Sequence, residues 1–141
     1  MIVLDTNVIS EMGLDRPDPK VAEWAARFEP GVFFLCVPVV AELAFGAARV
    51  MLRDRNSRHW NALNLLIERR FRGRILSNDI ASALKYGEIF AARQAMGRPV
   101  GPMDAMIAAI CLVNDATLAT RNVRDFDGLG MKLVNPFEAE A

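Results

Sequence analysis

The chain of 141 residues predicts an α/β fold, a parallel sheet with helices on both faces, on two observations. Short apolar runs rich in β-branched and aromatic residues recur near residues 2–4, 32–36, 74–76, 117–120 and 131–134. Between them lie longer segments whose apolar residues recur at helical spacing. Strands separated by helices pair in parallel through crossovers rather than as hairpins.

Ile2, Val3 and Leu4 form the first strand, and Asp5 follows at once. A carboxylate at the carboxyl end of a central strand stands where open α/β sheets keep their ligand sites. The same position also suits a helix cap. Thr6 and Asn7 supply short polar side chains able to orient Asp5, and residues 6–11 read as a short helix ended by Gly13. Asp18 and Pro19 start a second helix to about residue 28, with Val21, Trp24, Ala25 and Phe28 on its inner face. After the break at Glu29-Pro30-Gly31 comes the second strand, residues 32–36.

Pro38 opens a third helix over residues 39–52, apolar nearly all round at its start. Glu42 lies inside that run, among Val39, Val40, Leu43 and Phe45, and is the least ordinary residue of the chain. Burial there is costly unless hydrogen bonds, an arginine or a metal compensate it. A fourth helix over residues 56–71 carries Trp60, Leu63, Ile67 and Phe71 on one stripe, with His59 expected at the surface. Residues 74–76 form a brief edge strand. Asn78 and Asp79 cap a fifth helix, residues 80–96, with Ala83, Leu84, Gly87, Phe90 and Ala91 expected to face inward. Pro102 suits the first position of a sixth helix running to residue 113, which puts Asp104 in its first turn. The helix dipole favours an ionised carboxylate there. A strand at residues 117–120, a loop and short helix at 121–126, a turn at Gly128 and Gly130, and a last strand at 131–134 complete the pattern.

Apolar residues make up 52% of the chain, enough for a real core and incompatible with disorder. No repeat or linker divides the chain, so residues 1–137 read as one domain with a loose tail at 138–141. The longest apolar segment, residues 31–48, is interrupted by Pro38 and Glu42 and does not read as a membrane span. Residues 1–4 are too short for a signal peptide, and a cytoplasmic protein is expected. Cys36 and Cys111 lack metal-ligand spacing and read as reduced core residues. Zero net charge argues against a polyanion binder held by bulk charge. Locally, however, Arg49, Arg53, Arg55, Arg58, Arg69, Arg70, Arg72 and Arg74 face only Asp54 and Glu68. That segment reads either as a solvated helical face or as a contact for phosphates or carboxylates.

The unusual acids fall at one kind of place. Asp5 ends a strand, Glu42 lies a turn into the helix after another, Asp104 opens a central helix, and Asn122 and Asp125 follow the strand at 117–120. In a parallel sheet these positions share one edge. Carboxylates converging there need a cation to remain ionised together. Oxygen ligands without a His or Cys cluster select a hard ion, Mg2+ or Mn2+. Such a site suits phosphodiester hydrolysis, with a free carboxylate available to help activate water.

The stretches Ile2-Val3-Leu4-Asp5-Thr6-Asn7, Val40-Ala41-Glu42-Leu43, Asp104-Ala105-Met106-Ile107-Ala108-Ala109 and Leu118-Ala119-Thr120-Arg121-Asn122 resemble the successive motifs of PIN domains. The chain is most similar to VapC toxins of bacterial toxin–antitoxin pairs, including the FitB-like branch, over residues 2–137. The resemblance implies a three-layer α/β/α fold and a Mg2+-dependent endoribonuclease in which Asp5, Glu42 and Asp104 match the metal-binding acids. The family's fourth acid often stands where this chain has the neutral Asn122, so Asp125 is the candidate to replace it. Cys36 stands where relatives often carry a small hydroxyl residue, and Thr120 is expected to hydrogen-bond one of the acids. Asp5 and Asp104 are the expected metal ligands, Glu42 and Asp125 complete the catalytic set, and Thr6, Asn7, Thr120 and Asn122 support it.

The resemblance also implies a small VapB-like antitoxin covering the acidic pocket, a homodimer, and operator DNA bound only through the antitoxin. Two rivals differ in chemistry. A haloacid-dehalogenase-type phosphatase needs a second Asp two positions after the first, where Asn7 stands. A PIN-like module that only binds RNA or protein, with a weak or dead site, is compatible with the neutral Asn122.

Overall fold

The computed structural model describes residues 1–138. The loose tail expected at 138–141 lies outside the described residues apart from Glu138, whose N–H donates to the Asn135 carbonyl at 3.2 Å.

Five strands alternate with six helices: β1 Ile2–Leu4, α1 Thr6–Met12, α2 Pro19–Ala26, β2 Phe33–Cys36, α3 Val37–Asp54, α4 Arg58–Leu65, β3 Ile75–Leu76, α5 Ile80–Ala95, α6 Pro102–Val113, β4 Thr117–Ala119 and β5 Lys132–Val134. The strands form a single parallel sheet in the order β3-β2-β1-β4-β5. Register aligns Leu4 of β1 with Ala119 of β4, so Asp5 and Thr120 leave the sheet side by side. The chain travels outward from β1 to β3 and then jumps back to β4 beside β1. Right-handed crossovers therefore send α5 and α6 to the face opposite α1 to α4. This reversal makes the gap between the carboxyl ends of β1 and β4 the switch point of the sheet.

Val3, Leu4, Leu35 and Leu118 are fully buried between the layers, with Val8 and Val39 from one side and Ile107 and Ile110 from α6. Trp24 enters the core as expected, meeting Phe28 edge-to-face and Phe33 at a tilt, at centroid distances of 5.4 and 5.5 Å. Both cysteines are buried and unpaired. No helix among the described residues is long and apolar enough to cross a membrane.

Three expectations need correction. The helix expected over residues 56–71 begins at Arg58 and widens after Leu65 into a π turn, Leu66–Arg70. The Phe71 N–H reaches back five residues to the Leu66 carbonyl at 2.8 Å. The extra residue rotates Phe71 into the core, while Trp60, assigned to the same stripe, stays 39% exposed. The start of α3 is not enclosed all round, for Val37 and Phe45 are exposed, Phe45 to 66%.

The third correction concerns α5, which turns the other way. Ala83, Leu84, Gly87 and Ala91 face outward, and only Phe90 of the expected stripe is half-buried. Ser82, Ile89 and Arg93 face inward instead, with Tyr86 packed beside them. A helix with two competing stripes is oriented by what its neighbours satisfy. Here the carbonyls that receive Arg93 come from Arg98 and Asp127. This orientation predicts that Ile89→Ala costs about 2–5 kcal/mol in urea unfolding. Ala91→Ser, on the stripe first expected inside, should cost no more than about 0.5 kcal/mol.

Candidate metal centre

The site is built outward from Asp5. Its backbone N–H continues the β1–β4 ladder to the Ala119 carbonyl at 2.9 Å, and its own carbonyl accepts from Val8 and Ile9 as α1 begins. The cap role and the site role therefore coexist. Oδ1 accepts from the Thr6 N–H at 2.8 Å, and Oδ2 accepts from the Thr120 hydroxyl at 2.7 Å. The carboxylate is only 5% exposed, and these two bonds hold its plane across the gap between β1 and β4.

Two hydroxyls extend this network. Thr6 Oγ1 donates to Glu42 Oε1 at 3.0 Å, which links α1 to the first turns of α3. The Thr120 hydroxyl accepts from the Asn122 N–H at 3.0 Å while donating to Asp5. Asn7 Oδ1 accepts the Arg121 N–H at 3.1 Å and ties the loop after β4 to α1. Asp104 lies half-buried in the first turn of α6, where Gly101 is the cap residue. Asp125 lies on the short 3-10 turn Val123–Phe126 and is exposed.

The acids feel one another. Burial pushes the Asp104 carboxyl up to about 6, and Asp5, Asp125 and Glu42 push it in the same direction by repulsion. Burial also raises Glu42, against the Thr6 hydrogen bond that lowers it, with repulsion from Asp5 adding to the rise. Burial drives the Cys36 thiol up to about 12, so it stays protonated beside the acids. Among the described residues no Lys or Arg is ion-paired with any of the four acids. No three His, Cys, Asp or Glu side chains of the described residues already close around a cation position. Mg2+ keeps several waters and takes as few as one or two protein carboxylates. The donor set is hard oxygen only, and it fits such an ion.

The PIN domain family profile matches residues 2–130. The chain is 37% identical over 139 residues to the plasmid stability protein StbB of Pseudomonas syringae pv. tomato, covering 99% of this chain and all of the relative. The chain belongs to the PIN-domain family. It is 33% identical over 138 residues to the VapC ribonuclease Y4jK of Sinorhizobium fredii, covering 98% and 99% of the two chains. A solved structure of FitAB bound to an IR36 DNA fragment contains a chain 31% identical, with a TM-score of 0.84, covering 100% of this chain and 99% of that one.

In this PIN domain the expected site residues all come from the carboxyl edge of the sheet or the first turns that follow it. The hydroxyl bridges of Thr6 and Thr120 are more specific than sequence alone indicates, because each joins two elements far apart in the chain. Asn122 takes part through its backbone N–H, a role that any residue type there could fill. His59 is exposed as expected and lines the same groove as Thr6 and Glu42.

Raised carboxyl values make the metal-free protein less stable as pH rises, because the folded state binds protons more tightly than the unfolded state. For Asp104 that contribution is fully present below about 4, the ordinary carboxyl range, and is lost as pH rises through about 6. Urea unfolding in EDTA should therefore show Asp104→Asn gaining stability over wild type between pH 4 and 7. Since the group is half-exposed, the gain is on the order of 1 kcal/mol.

Proposed function

We propose that this chain is a metal-dependent endoribonuclease that hydrolyses RNA phosphodiester bonds, and the toxin of a type II toxin–antitoxin pair. The observation that carries this reading is that Asp104, raised by burial, is pushed further in the same direction by Asp5, Asp125 and Glu42, with no ion-paired Lys or Arg among the described residues to relieve it. Asp5 and Asp104 would hold Mg2+, or Mn2+, with Glu42 and Asp125 close by. When bound, the ion supplies positive charge for a phosphate oxygen and acidifies water.

The protein's own contribution is positional. Thr6 and Thr120 fix the Asp5 carboxylate before any ligand arrives, so no reorganisation is needed at reaction. Glu42, with its affinity for protons raised by burial, is suited to take a proton from water at Oε2, the oxygen that Thr6 does not engage. Asp125 takes the place of the acid missing at Asn122 and brings negative charge from the loop after β4. The neutral Asn122 is the observation that keeps the second reading, a PIN module that binds without cutting.

The relatives support a partner as well as an activity. A groove of about 740 Å3 runs from Thr6 and Glu42 between α1, α3 and α4, past Leu43 and Leu63 to Arg49 and His59. It has room for a peptide segment, not just an ion. There a small VapB-like antitoxin would lay its C-terminal segment and cover the acids. Operator DNA would be bound through the antitoxin; the similar FitAB complex has been solved bound to an IR36 DNA fragment. We further read residues 1–137 as one PIN unit working in the cytoplasm. A homodimer would bury the apolar residues left outside on α3 and α5, among them Phe45, Ile80 and Leu84.

Cleavage of a mixed RNA substrate with Mg2+ or Mn2+ should stop in EDTA and fall at least about 100-fold in Asp5→Asn and Asp104→Asn. Equal cutting by Asp5→Asn and wild type, or no cutting with either metal, would sink the nuclease reading in favour of the binding module. Sedimentation of the free chain should give a dimer, and Leu84→Glu should shift it toward monomer without loss of helical content. A wild-type monomer at tens of micromolar would refute the dimer.

A further inference from the structure

Arg93 sits on α5 with 5% of its surface exposed, and no carboxylate pairs with it among the described residues. A buried guanidinium is expensive unless its donors are satisfied. Its Nε donates to the Arg98 carbonyl at 2.7 Å, and its Nη1 donates to the Asp127 carbonyl at 3.2 Å. The Arg98 N–H returns to the Arg93 carbonyl at 3.0 Å. One guanidinium thus joins three segments.

Two of those segments deliver acids to the metal centre. Residue 98 lies three positions before Gly101, the cap of α6, and Asp104 is in the first turn of that helix. Asp127 closes the 3-10 turn that carries Asp125. Helix α6 packs against the turn, but past Asp127 the turn continues into Gly128 and Gly130, both at positive φ. A rigid planar fork can hold two carbonyls at a set separation, which a methionine or leucine of similar volume cannot do.

We propose that Arg93 is a positioning residue for the metal centre, tying the segment before α6 to the turn after Asp125 and so fixing Asp104 relative to Asp125. It touches neither ion nor substrate and acts through backbone carbonyls. The assignment rests on the reading of Asp104 and Asp125 as groups that serve the ion.

The test is Mn2+ binding to the purified chain, followed by the paramagnetic resonance of free Mn2+ well below the melting temperature. Wild type, Arg93→Met and Arg93→Lys are compared. Lysine keeps the charge but cannot span both carbonyls. Both variants should bind Mn2+ about 10- to 100-fold more weakly. For RNA cleavage kcat should fall while KM is unchanged. A merely structural role would lower the melting temperature and leave the affinity of the folded chain untouched. In wild type, Mn2+ should slow hydrogen exchange at the amides of Arg98, Val100, Gly101, Asp127 and Gly128, as reciprocal coupling requires. This measurement and Arg93→Lys carry the test if Arg93→Met does not fold. Unaltered affinity in a folded variant, or unaltered exchange in a wild-type chain that binds Mn2+, overturns the clamp and leaves the metal reading intact. Absence of Mn2+ binding by wild type overturns both.

Discussion

Two carboxylates, Asp5 and Glu42, held at one rim of the sheet by neutral donors are the constraint on which the rest of this structure depends. Asp5 is locked by a backbone N–H and a threonine hydroxyl, and Glu42 by a second threonine hydroxyl. Neutral donors fix geometry without cancelling charge. The repulsion is therefore left in place, and it adds to the burial that raises the affinity of Asp104 for a proton. A lysine in the cluster would relieve that repulsion and also remove the attraction for a divalent ion. Burial and repulsion of these acids cost stability at this rim.

The fold makes such a rim possible. Because the chain reverses direction after β3, β1 lies between β2 and β4, and the carboxyl ends of β1 and β4 stand next to each other. Asp5 and Thr120, 115 residues apart in the chain, can then share a hydrogen bond. The helices that follow begin at the same edge and bring Glu42 in the second turn of α3 and Asp104 in the first turn of α6. Local rules explain those starts, with Pro38 and Pro102 in the opening turn of each helix. The basic segment divides in the same way. Arg74 is structural, bonding the Pro30, Phe33 and Arg70 carbonyls and lying over the Phe71 ring, whereas Arg49 and Arg58 border the groove.

Where the sequence misled, two faces of one helix offered rival solutions. In α5 the small and apolar stripe through Ala83, Leu84 and Gly87 has the better pattern, yet the stripe with Ser82 and Arg93 is buried. Hydrophobic periodicity weighs each side chain by its own transfer energy. It has no knowledge of carbonyls arriving from residues 98 and 127 to satisfy a guanidinium. The π turn after α4 escaped for a related reason. It changes the phase of the stripe by one residue, and only the place open for Phe71 in the core requires that.

The sequence by itself determined the alternation of strands and helices, the caps and prolines that start them, and the types and positions of the acids. Each of these is written in neighbouring residues, through periodicity, dihedral preference and local hydrogen bonding. Only the tertiary structure decided which acids repel which, which face of α5 is inside, and that two threonine hydroxyls bridge distant elements. Those outcomes depend on partners remote in the chain, and the energy of a buried polar group is set by its partner rather than by its own identity.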